Sequence, residues 1–121
     1  MDFEIKMDEG KKIAIITLHR VMTKELARQV LQCIKKLTED HGIERLLSDV
    51  RYFPIDISPF DQYYFIYNLP KQSGNHPDRK IAIWAGKEDH SYDFAETCFL
   101  NSGQYARKFL DYDEALRWLT A

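Results

Sequence analysis

The first apolar residues of the chain come at every second position. Phe3, Ile5 and Met7 interleave with Glu4, Lys6 and Asp8, the period of a strand with one buried face. Asp8-Glu9-Gly10 supplies a turn and Ile13 to Leu18 reads as a second strand, so the two should pair as an antiparallel hairpin. The period then lengthens. Leu26, Val30, Cys33, Ile34 and Leu37 follow at helical spacing behind a Thr23 N-cap, with Lys24, Arg28, Gln32, Lys35 and Lys36 on the other side. Gly42 supplies the left-handed stop. Leu46 to Val50 is short and mostly apolar, and the long helix before it makes it a crossover strand lying parallel to its neighbour.

A second crossover runs from Pro59 to Leu69, with Ser58 as cap, Pro59 at the first helical position and Asp61 three residues past the cap. Pro70 to Arg79, rich in Pro, Gly, Ser and Asn, reads as the longest loop. Lys80 to Ala85 is a further buried strand closed by Gly86. Ser91 or Asp89 can start the next helix, whose Phe94, Ala95 and Cys98 share a face and which ends at Asn101-Ser102-Gly103. Tyr105 to Phe109 gives a last strand, and Asp111-Tyr112-Asp113-Glu114 opens a final helix with Ala115, Leu116 and Leu119 inward. The order β-β-α-β-α-β-α-β-α predicts an α/β domain spanning 1–121. It should hold one mixed, largely parallel sheet of four or five strands and carry four helices.

Composition narrows what such a domain could do. The chain has 121 residues, 45% hydrophobic, with 17 Lys and Arg against 19 Asp and Glu, a formal charge of −2. A near-neutral balance spread along the whole chain gives no electrostatic footprint for nucleic acid or an anionic membrane. No run approaches the roughly 20 apolar residues that span a bilayer, and the acidic start Met1-Asp2-Phe3-Glu4 lacks a signal-peptide pattern, so a cytoplasmic location is expected. Cys33 and Cys98 lie far apart in apolar helical stretches and read as two buried, reduced thiols. His19, His41, His76 and His90 have no spacing that puts two on one face, so no metal is expected. No Gly-rich phosphate loop is present, and no cofactor is expected.

The element order combines with several local stretches to suggest a family. These are Leu46-Leu47-Ser48-Asp49-Val50-Arg51, the segment Glu88 to Thr97 (Glu-Asp-His-Ser-Tyr-Asp-Phe-Ala-Glu-Thr), the following Asn101-Ser102-Gly103, and the ending Phe109 to Leu119. Together they resemble the bacterial SpoIIAA-like proteins of the STAS domain group, named after sulfate transporters and anti-sigma-factor antagonists. The similarity covers nearly the whole chain and is most specific in its C-terminal half. It implies helices packed mainly over one sheet face, a fold related to the lipid-exchange domains of the yeast phosphatidylinositol-transfer type, and no catalytic activity. In anti-sigma-factor antagonists a serine in an Asp-Ser-Ser-Gly-like turn is phosphorylated by a partner kinase. The resemblance places Asp56 and Ser58 on the acid and the phosphoacceptor of that turn, while Ile57 and Pro59 depart from its pattern.

Three groups of residues are candidates for function, and each has a plainer structural reading. Ser58 is either a docking switch for an anti-sigma-factor or kinase type of partner, or simply a helix cap. Tyr52, Phe53, Phe60, Tyr63, Tyr64, Phe65 and Tyr67 crowd one crossover, and a helix there has room for only one buried stripe. The surplus could line a pocket for a small apolar, lipid-like ligand, form a contact between two copies of the chain, or sit at the surface as ordinary tyrosines do. Asp89, His90 and Ser91, with Asp93 and Glu96, hold the residue types of a hydrolase, yet three adjacent residues cannot converge as nucleophile, base and orienter. They read as helix-start residues that could share a rim with Ser58 at the ends of the strands. The leading expectation is therefore a non-enzymatic regulatory or interaction module, with a carrier or sensor of a small apolar ligand as its alternative.

Overall fold

The computed structural model of the chain describes residues 2–69 and 78–121. Its five strands, β1 (Phe3–Asp8), β2 (Ile13–Leu18), β3 (Arg45–Asp49), β4 (Lys80–Trp84) and β5 (Tyr105–Phe109), form one sheet in chain order. The first two pair antiparallel, Phe3 opposite Leu18 and Asp8 opposite Ile13, and the remaining pairs are parallel. The helices described are α1 (Lys24–His41), α2 (Pro59–Tyr67), α3 (Asp93–Asn101) and α4 (Tyr112–Thr120). The mixed sheet, hairpin and element order are those expected from the hydrophobic pattern. Most of the expected loop from Pro70 to Arg79, His76 included, lies outside the described residues.

The alternation along each strand sorts the core into two layers. Ala14 and Ile16, Leu46, Ile81 and Ile83, and Ala106 face the layer of α1, α2 and α3. Ile13, Leu47, Ala82 and Phe109 face the opposite side, where Ala115 and Leu119 of α4 cover them. Three of the four described helices therefore share one face, and among the described residues α4 closes the other.

The helix ends follow local chemistry. The Thr23 hydroxyl accepts from Leu26 N (3.2 Å) and Asp111 from Glu114 N (3.0 Å). Gly42 adopts φ 66°, a left-handed turn that L residues with a Cβ resist. Other expectations are corrected by tertiary packing. Neither Ser91 nor Asp89 caps α3, which starts after Tyr92 with no side-chain cap, because Asp89 accepts from Ser91 N within the preceding loop and the Ser91 hydroxyl accepts from Ile55 N across the fold. Phe94 is exposed although Ala95 and Cys98 of the same helix are buried, since the face of α3 that meets Ile66 of α2 is formed by Ala95, Cys98 and Phe99. Met7 is also exposed, as the end of the hairpin lies beyond the helical layer. Cys98 is buried, and desolvation pushes its thiol above the usual range, but Cys33 is only half-buried at the edge of the α1 stripe.

Candidate functional site

The site begins with an irregularity on the central strand. Leu46, Ser48 and Val50 project toward α1–α3, and the small, polar Ser48 stands where large apolar side chains fill the neighbouring positions Ile16 and Ile83. Above it the helices do not close fully. A cavity of about 130 Å³ lies between the sheet and the helical layer, with Ser48, Ile81 and Ile83 as its floor. Ala27, Val30, Leu31 and Ile34 of α1 form one wall and Ala95 and Phe99 of α3 another, while Gln62, Phe65 and Ile66 of α2 form the roof.

Gln62 is the unusual member of that lining. It lies four residues before Ile66 on the buried stripe of α2 and is only 5% exposed. Its Nε2 donates to Ile57 O at 2.7 Å, which fixes the amide orientation, since a reversed amide would set two acceptors against each other. Its Oε1 is buried with no hydrogen-bond partner among the described residues. An unmet acceptor in such a place costs about 1–3 kcal/mol. Tyr92 is the third polar residue in the lining, and its hydroxyl is occupied, donating to Phe53 O at 3.0 Å. Burial, and secondarily Asp89, pushes that phenol well above its ordinary range, so it stays protonated.

The loop over residues 51–58 is held from several sides. Arg51 Nε and Nη2 each donate to Asp49 at 3.0 Å, and its guanidinium lies 3.6 Å from the centre of the Trp84 ring. Asp56 N donates to Met22 O (2.8 Å), and Ile55 N donates to the Ser91 hydroxyl at 3.1 Å. Gly86 passes so close that a Cβ there would stand 2.8 Å from Arg51 O. These contacts fix Ile55 and Ile57 as part of the cavity lining.

The expected site residues distribute as follows. Ser58 caps α2, its hydroxyl accepting from Asp61 N at 3.2 Å, and Pro59 takes the first helical position. Ser58 and the Asp56 carboxylate are both at the surface. Of the aromatic crossover, Phe53 and Phe65 pack against the core. Tyr52, Phe60 and Tyr64 are 73%, 75% and 61% exposed, and Tyr63 stacks on Tyr67 at 4.3 Å along the outer side of α2. Phe60 and Tyr64 border an open cleft against α1 together with Lys24, Arg28 and Asp61, where Lys24 Nζ lies 3.7 Å from Asp61. In the loop before α3, Asp89 accepts from Ser91 N (2.8 Å), Ser91 accepts from Ile55, and the exposed His90 meets Asp93 at 3.2 Å. The loops carrying Ser58 and Ser91 are thus joined directly; the Asp89 and Ser91 side chains serve that joint, His90 meets Asp93 at the surface, and none of the three lines the cavity. Among the described residues no group of three or more His, Cys, Asp or Glu could hold a metal ion.

Sequence reasoning missed Ser48, Gln62 and Tyr92. The one available signal was the spacing Gln62, Ile66, Leu69, which places an amide in an apolar stripe. Neither the family models nor the curated proteins compared with this chain give a match.

Proposed function

We propose that this chain is a non-enzymatic binding module of the SpoIIAA-like STAS type, and that it holds a small apolar molecule in the cavity beneath α2. The observation that carries this reading is the cavity itself, about 130 Å³ of space between the sheet and the helical layer with a largely aliphatic and aromatic lining. Such walls suit the burial of apolar ligand surface. An apolar cavity of comparable size, roughly 150 Å³, is known to take up benzene. Thermal unfolding in saturating benzene tests the proposal. Ligand at about 100 times its Kd adds roughly 2.7 kcal/mol of stability, so Tm should rise by several degrees with benzene and not with a molecule too large to enter. An unchanged Tm overturns it.

A second reading is favoured by the exposed aromatics beside the Ser58 cap. Phe60, Tyr64, Lys24 and Arg28 border a surface cleft next to that turn, as a docking face for a protein partner would. Binding of an anti-sigma-factor or kinase type of partner, kept in Ser58→Ala and lost in Ser58→Asp, is its expected signature. Equal binding by both variants would count against the switch.

A further inference from the structure

The cavity is lined mostly by apolar side chains, with Ser48, Gln62 and Tyr92 as its polar members, and of these Gln62 carries a buried acceptor with no partner among the described residues. Gln62 Nε2 is committed to Ile57 O at 2.7 Å, and the other end of the same amide, Oε1, is buried without a partner in a residue only 5% exposed. We infer that the cavity selects a small neutral molecule with an apolar body of about benzene size and one hydrogen-bond donor, the donor pairing with Gln62 Oε1. Phenols and short alcohols are the chemical class with this shape. The inference rests on the ligand-binding reading above and adds to it which ligands are chosen.

Two features support a donor on the ligand. A water molecule held in a protein interior needs two to four polar partners, and the lining offers few, because Tyr92 is already bonded to Phe53 and the remaining walls, Ser48 apart, are hydrocarbon. The acceptor is also rigidly placed, since Gln62 projects from a helix whose N-terminus is capped by Ser58 and whose next turn is anchored by the buried Ile66. A preset acceptor in an apolar wall discriminates by donor, because an analogue lacking the donor leaves the oxygen desolvated and unpaired. The neutral amide favours an uncharged ligand, as an ionised head would lose its hydration with no countercharge in the lining.

The test compares phenol with fluorobenzene, which match in size and differ in the donor, by calorimetry on the wild-type protein and on Gln62→Met. The ratio of the fluorobenzene Kd to the phenol Kd should fall on the order of 10-fold on going from wild type to Gln62→Met. In the wild-type protein alone, the Gln62 side-chain amide resonances should shift on saturation with phenol far more than with fluorobenzene, which keeps the inference testable if the variant does not fold. Equal ratios in the two proteins, or equal amide shifts, overturn donor selection and leave the cavity reading standing. Failure of both probes to bind overturns the two together.

Discussion

Replacing Ser48 by valine tests the space beneath α2 without touching its roof. Ser48 lies on the floor of the cavity, between Ile16 on β2 and Ile83 on β4 in the strand register. The substitution exchanges a hydroxyl for two methyl groups and leaves a β-branched residue in a row of isoleucines, where strand packing favours it. At about 0.8 kcal/mol per buried methyl or methylene, the gain approaches 1.5 kcal/mol if the methyls enter existing space. An upper limit comes from the cavity as a whole, because about 24 cal/mol per Å³ over about 130 Å³ amounts to roughly 3 kcal/mol. For a chain of 121 residues, a gain of about 1.5 kcal/mol raises Tm by roughly 5 °C. Urea unfolding followed by tryptophan fluorescence would give the free-energy change, and calorimetry the Tm. The benzene-induced rise in Tm should shrink or vanish in the same variant, since the methyls occupy part of the ligand's volume. A loss of stability of about 1 kcal/mol or more, the usual result of forcing methyls into a filled core, would show that the space is not there and refute the reasoning.

Three further outcomes follow from the geometry. Gly86→Ala should destabilise by roughly 1–3 kcal/mol, because the added methyl meets the Arg51 carbonyl at 2.8 Å and backbone must move; a Tm equal to wild type would contradict that approach. Ser58→Ala should cost about 1 kcal/mol through the lost cap of α2 while Ser58→Asp, itself a good cap, should be nearly neutral by urea unfolding, and the reverse order would mean that the hydroxyl does more than accept from Asp61. The Lys108 ammonium, 2.6 Å from Asp93, and secondarily His90, hold that carboxyl below the ordinary carboxylate value near 3.8. The pairing therefore stabilises the fold above the unfolded pKa and is lost as pH falls through the depressed one. Carboxyl-carbon NMR should find the Asp93 titration displaced upward in Lys108→Met, and an unmoved titration would remove Lys108 as the cause.

The sequence announced its framework through period and punctuation. Thr23 and Gly42 bracket α1 because a cap acceptor and a left-handed glycine act locally, and the same holds for Ser58-Pro59 and Asp111. The parallel sense of the later strands followed from the alternation of strands with helices, whereas their order across the sheet is set by tertiary packing. The site was legible only at its border. The aromatic crossover pointed to the right helix, but its surplus rings face outward and Gln62 faces in, because the rotation of a helix about its axis is set by what it packs against. Ser48 was hidden inside a short apolar run. The joint between Ile55 and Ser91 spans residues 36 apart in sequence, a distance over which no local pattern speaks. A cavity, finally, is a deficit of volume among many side chains, and periodicity carries no information about volume.

The strands lie in the sheet in the order in which they occur in the chain, β1 to β5. During synthesis, at roughly 5–20 residues per second, each strand therefore leaves the ribosome with its partner already made and waiting. The sheet can grow by one edge at a time, and no early strand has to hold open a gap for a later one. Helix α4 follows all five strands in the chain, and it covers the face that Leu47 and Ala82 expose until then. A released chain ending before Tyr112 would consequently present the sheet with one bare apolar side, the form most exposed to chaperones and to aggregation.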